Sequence, residues 1–175
     1  MNLAFYSVLL FAALAGIEAS YCADQAKVFV SGYSSGGWLS YLLGCARAGV
    51  IRGIGAASGG MQVDRPACTG PVAAILTADT TDSTNPIVNI DKTTGIDKGS
   101  GAGRDNLLMR NGCGTETKPW DVGDSAFESS SCVEYQGCAP GFPVVWCPTT
   151  GYGHSNGAES GISTKGFWTL WSSLP

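Results

Sequence analysis

Short apolar, β-prone runs alternating with helix-compatible stretches predict an α/β protein built on a mostly parallel sheet. Residues 27–31, 51–57, 72–77 and 143–147 are brief hydrophobic runs rich in Val, Ile and Ala. Runs of that length without polar alternation suit strands covered on both faces. Residues 36–48, 103–110 and 162–174 have the length and spacing of helices and fall between or after those runs. The chain has 175 residues, of which 44% are hydrophobic. That is enough for one domain with a real core.

Taken in order, residues 1–15 are apolar and end in Ala13-Leu14-Ala15, a small-x-small pattern suited to signal cleavage. No Lys or Arg precedes the run, which departs from a secretory leader. The stretch therefore reads either as a signal-like segment over residues 1–20 or as a helix over residues 4–20, with residues 21–175 forming the domain. It is short for a stable membrane span. The strand at 27–31 leads into a Gly-Ser-Gly turn and then the helix at 36–48. The helix at 103–110 ends at Asn111-Gly112, a sequence suited to a left-handed cap. Residues 113–141 hold three cysteines and little periodicity, and read as irregular. In the last helix, Trp168 and Trp171 stand at i and i+3 and are expected to share a packing face.

Composition narrows the function classes. The formal charge is −4, and the ten Lys and Arg residues form no run. Neither a nucleic-acid partner nor an anionic membrane surface is expected. Charged residues make up only 14% of the chain, against 25 glycines, a balance that suits an extracellular protein with long ordered loops. Seven cysteines, at 22, 45, 68, 113, 132, 138 and 147, include no C-x-x-C pair, and there is a single histidine. A zinc cluster is poorly served by that set, whereas up to three disulfides and one spare thiol fit an oxidising compartment. No metal and no organic cofactor is expected.

Two matches to G-x-S-x-G occur, at Gly32–Gly36 and Gly153–Gly157. Only the first follows directly on a strand and opens a helix, the layout that holds a serine out for attack on a carbonyl. Ser34 is thus the candidate nucleophile, and the backbone N–H of Ser35 the candidate oxyanion donor. A serine nucleophile needs a base, and a carboxylate to hold that base's tautomer. His154 is the one available base and lies just past the strand at 143–147. Asp79 and Asp82 follow the strand at 72–77, and either could orient the imidazole; both also suit turns. The order Ser34, Asp, His154 is the chain order of α/β-hydrolases.

The segments Tyr21–Asp24 and Val28–Trp38 resemble the extracellular feruloyl esterase and polyhydroxybutyrate depolymerase-like family of α/β-hydrolases. The likeness continues through Asp79–Pro86, Gly103–Cys113 and Pro148–Gly157, and covers nearly everything from residue 17 to 175. It implies a secreted serine esterase without cofactor. Its substrates would be feruloyl or acetyl esters of plant cell-wall polysaccharide, or hydroxyalkanoate polyesters. Carried over by position, it implies Ser34 as nucleophile and His154 as base. The family's His-Gly-x-x-Asp loop, aligned backwards from Pro86, places Ala78 and Asp79 first and Asp82 at the acid position. Asp82 is therefore preferred, with Asp79 as the alternative acid. Such proteins carry about a hundred further residues ahead of this region. The resemblance thus implies the catalytic half of a sheet truncated on its N-terminal side, with the second oxyanion donor outside the chain. The competing expectation is a non-catalytic secreted binding protein that keeps the motif residues.

Trp38 and Trp146 are expected chiefly in packing, with substrate contact as a second role for each. Arg104 and Asp105 read as an exposed first-turn pair, and Asp124 and Glu128 as solvated loop charges.

Overall fold

A computed structural model describes residues 3–61, 68–122, 132–155 and 162–175. Strand β1 (Phe29–Tyr33) runs into helix α2 (Ser35–Ala46), which returns to β2 (Gly53–Ala57). Strand β3 (Ala73–Asp79), helix α3 (Ser100–Asn111), and the short strands β4 (Thr117–Pro119) and β5 (Val133–Tyr135) follow. Strand β6 (Val144–Thr149), a 3₁₀ turn (Gly153–Ser155) and helix α4 (Ile162–Ser173) complete the order, and α1 (Leu3–Ser20) precedes it. Among the described residues, six strands form one sheet in the order β1-β2-β3-β6-β5-β4. The first four are mutually parallel, and the last two pairings are antiparallel. The expected α/β class with a mostly parallel sheet is what the chain adopts.

Side-chain alternation explains why the central strands read as continuous apolar runs. Ile54, Ala56, Ala74, Leu76, Ala78, Val144 and Trp146 face Tyr41 and Leu43 of α2 and Leu107 of α3. Their neighbours Ala57, Ile75, Val145 and Cys147 face Phe167 and Leu170 of α4. Both faces are covered, so no position needs to be polar. A side chain at Gly32 would drive its Cβ into the backbone of Gly36, and one at Gly55 would meet the Phe167 ring. These glycines let the turn after β1 close tightly and let α4 lie directly on the sheet.

Several boundaries differ from expectation for definite reasons. Strands β3 and β6 run two residues beyond their apolar stretches, pairing Ala78 with Pro148 and Asp79 with Thr149. Asp79 is nonetheless fully buried, because its carboxylate is satisfied by hydrogen bonds rather than by water. Pro148 is tolerated because β5 pairs with β6 only at Val145 and Trp146, so no ladder bond is lost on that side. Helix α3 starts at Ser100, three residues early, with the N–H of Gly101 donating to the carbonyl of Ile87. Arg104 and Asp105 are consequently in its second turn. They form an ion pair at 2.7 Å. Gly112 takes the left-handed cap with φ 67°.

Within the stretch read as irregular, β4 and β5 extend the sheet. Disulfides Cys113–Cys138 and Cys132–Cys147 staple this region, the second tying the residue before β5 to β6. Cys45–Cys68 fastens the end of α2 to the segment before β3, and Cys22 is an exposed free thiol. The paired tryptophan face in α4 does not form. Trp171 stacks on Phe29 at 4.9 Å, whereas Trp168 is 69% exposed. At 100° per residue the buried stripe is centred between Phe167 and Leu170, which leaves Trp168 about 130° away.

The N-terminal stretch is helical as α1, with Phe11 against the core and the Arg47 guanidinium 5.0 Å from its ring. Val8, Leu9, Leu10 and Ile17 are exposed. Among the described residues no helix is long and apolar enough to cross a membrane. Asp124 and Glu128 lie outside the described residues.

Candidate active site

Ser34 sits between β1 and α2 with φ 55° and ψ −118°, a region that residues with a Cβ rarely occupy. Its own N–H donates to the carbonyl of Ala57, and its carbonyl accepts from the N–H of Trp38. The turn is thus pinned to β2 on one side and closes the first turn of α2 on the other. The hydroxyl projects from the C-terminal ends of the parallel strands, where open α/β sheets gather their ligands. Ser35 is the first residue of α2. An N–H at that position has no intrahelical acceptor and lies at the positive end of the helix dipole.

His154 lies in the 3₁₀ turn that follows β6. Its Nε2 is 2.9 Å from Ser34 Oγ, and its Nδ1 is 2.8 Å from Asp82 Oδ2. These three side chains are 120 and 72 residues apart in the chain, measured from His154. A carboxylate can only accept, so Nδ1 carries the proton and Nε2 of the neutral ring is free to accept from Ser34. Asp82 is itself held. Its Oδ1 accepts from the N–H groups of Thr84 and Asn85, both at 2.8 Å, and the residue is 3% exposed. One oxygen anchors the turn while the other faces the imidazole.

Asp79 occupies a different place. Its Oδ1 accepts from the N–H and hydroxyl of Thr81, at 2.8 and 2.5 Å. Its Oδ2 accepts from the Thr149 hydroxyl at 2.7 Å and the Tyr152 N–H at 3.1 Å. Burial pushes this carboxyl up, but the hydrogen bonds from Thr81, Thr149 and Tyr152 outweigh it and lower its pKa from 3.8 to about 2. A carboxylate lowered in the folded state contributes stability that is present above pH 3.8 and lost as the pH falls through about 2. The urea midpoint should therefore drop between pH 5 and pH 2.5, and Asp79→Asn should flatten that drop.

Two further contacts around the histidine carried no sequence signal. The Tyr33 hydroxyl donates to the His154 carbonyl at 2.9 Å, and the two rings are 5.3 Å apart. Tyr33 is next to Ser34 in the chain, yet nothing in its type or spacing announces a partner 121 residues away. A cleft of about 290 Å³ opens beside Tyr33, lined also by Ser31, Gly32, Ala57, Ser163, Thr164 and Phe167. Neither Trp38 nor Trp146 lines it. Trp38 is half-buried, and its indole N–H meets no hydrogen-bond acceptor among the described residues. Trp146 is in the core, with the Arg104 guanidinium 5.1 Å from its ring. Among the described residues no cluster of three or more His, Cys, Asp or Glu side chains could hold a metal ion.

The chain matches no family model. It is 30% identical over 85% of its length to feruloyl esterase C of Emericella nidulans, covering 49% of that protein. It is 31% identical to feruloyl esterase D of Neurospora crassa, over 71% of this chain and 39% of the other. A probable feruloyl esterase C of Aspergillus terreus is 32% identical over 89% of this chain and 52% of its own length. These similarities support a feruloyl esterase-like family. The chain spans about half the length of the first and third of these relatives and about two fifths of the second.

Proposed function

We propose that residues 21–175 carry the catalytic centre of a secreted serine carboxylic-ester hydrolase. The observation that carries this reading is the imidazole of His154, hydrogen-bonded at once to Ser34 Oγ and Asp82 Oδ2. Ser34 Oγ attacks the ester carbonyl carbon as its proton passes to His154 Nε2. The oxyanion that forms is held by the Ser35 N–H together with a second donor. Collapse expels the alcohol, protonated by His154, and leaves an acyl group on Ser34. Water, deprotonated by the same imidazole, then attacks the acyl carbon and releases the acid. Asp82 holds the ring's tautomer and stabilises its charge. No step calls for a metal or an organic cofactor.

The relatives' names favour feruloyl esters, and the family resemblance adds acetylated polysaccharide and hydroxyalkanoate polyesters to the substrate class. Three disulfides and a sparse charge content support an extracellular setting. The deciding assay uses p-nitrophenyl acetate. Turnover by the wild type that vanishes in Ser34→Ala supports the enzyme; equal background rates in both would make the chain a non-catalytic relative.

A further inference from the structure

We propose that Asp79 is a positioning residue that locks the histidine loop to the acid loop, so that one imidazole reaches both Ser34 and Asp82. The inference rests on the esterase reading above and adds a role that none of the three site residues fills. Strands β3 and β6 are parallel neighbours, and their last paired positions are Asp79 and Thr149. Beyond that pair the two chains leave the sheet side by side, one carrying Asp82 and the other His154. The Thr80 N–H still donates to the Thr149 carbonyl at 2.9 Å, and the hydroxyls of Thr80 and Thr150 are 2.9 Å apart. Sheet twist acts to separate the loops from there on.

Asp79 joins them at that point. One carboxylate oxygen takes two donors from its own loop, both from Thr81, and the other takes two from the histidine loop, from Thr149 and Tyr152. Four acceptor sites meet four donors, which is the full capacity of an ionised carboxylate. None of these bonds goes to His154. The effect is transmitted through the backbone, because Tyr152 stands two residues before the imidazole. Tyr152 is flanked by Gly151 at φ 92° and Gly153 at φ 58°, where the chain has the most freedom to lose on folding. A loop of that composition needs an external anchor to hold a side chain in place. Asp79 supplies it at Tyr152, and Tyr33 supplies another at the His154 carbonyl.

The test uses the full chain, with Asp79→Ala, Thr149→Val and the double variant beside the wild type. Turnover is measured per Ser34 titrated with a fluorophosphonate, which removes any misfolded fraction from the count. The ring N–H resonances of ¹⁵N-histidine protein report the hydrogen bond to Asp82 directly, since His154 is the single histidine of the chain. The expected result is a kcat lower by about 10–100-fold in Asp79→Ala, because a loop displaced by about 1 Å suffices for that. KM should barely move, and the Nδ1–H resonance should broaden or vanish. Thr149→Val should fall in the same direction by less, and the double variant should be no worse than Asp79→Ala. Unchanged kcat per site together with an unchanged Nδ1–H signal in folded Asp79→Ala would overturn the proposal. Should Asp79→Ala fail to fold, the same two readouts on Thr149→Val decide it. If the wild type turns over no ester, the esterase reading fails, while the resonance still decides whether Asp79 positions the imidazole.

Discussion

Ser34→Gly is expected to abolish ester hydrolysis while making the protein more stable. Removing the nucleophile of such a constellation lowers kcat by about 10⁴–10⁶. The backbone of Ser34, at φ 55° and ψ −118°, carries strain of about 1–3 kcal/mol for any residue with a Cβ. Glycine relieves it, and the extra freedom of the unfolded chain takes back about 0.5–1 kcal/mol. A net gain of about 1 kcal/mol should appear as a higher urea midpoint at unchanged slope. Ser34→Ala makes the control. It loses the same activity but keeps the strained backbone, so its midpoint should stay near the wild-type value. A glycine variant no more stable than the alanine variant would show that the turn is not where strain is stored.

Asp82→Asn is expected to lower kcat by about 10⁴ with the fold intact. Oδ1 of Asp82 accepts from the Thr84 and Asn85 N–H groups, and an asparagine oxygen can keep both. Its amide NH₂ then faces His154 Nδ1 as a donor. The ring must shift its proton to Nε2 to accept, and so loses the lone pair that receives the proton of Ser34. Circular dichroism should match the wild type while p-nitrophenyl acetate turnover collapses. A loss of less than about tenfold would mean that Asp82 anchors its turn and does little for the imidazole.

How far the fold was legible follows from what each segment has to satisfy. The three central strands β2, β3 and β6 announce themselves because both of their faces are covered and their apolar runs are long enough to stand out, whereas β1 lies at the edge of the sheet. The ends of β3 and β6 do not, since Asp79 and Thr149 look like loop chemistry until they are seen to satisfy each other. Strands β4 and β5 are three residues each and are held beside disulfides, so neither has a period to detect. Trp168 misleads because i,i+3 spacing defines a face only when the rest of the stripe agrees. At the site, Ser34 stood out through the strand before it and the helix after it, and His154 through being the only histidine. Asp79 and Asp82 are the same residue type three positions apart, and residue chemistry alone does not separate them; only the family resemblance, aligned backwards from Pro86, sets Asp82 ahead. What distinguishes them is three-dimensional: Asp82 faces Nδ1 of His154, and Asp79 faces Thr149 and Tyr152.

The proposed chemistry rests on Ser34 being a nucleophile activated by His154, and covalent trapping tests that most directly. Wild-type protein treated with a fluorophosphonate should gain the mass of one adduct, mapped by peptide sequencing to Ser34, and His154→Ala should gain almost none in the same time. Wild type that stays unlabelled, or that carries its adduct on another serine such as Ser155 in the second G-x-S-x-G match, would contradict the account.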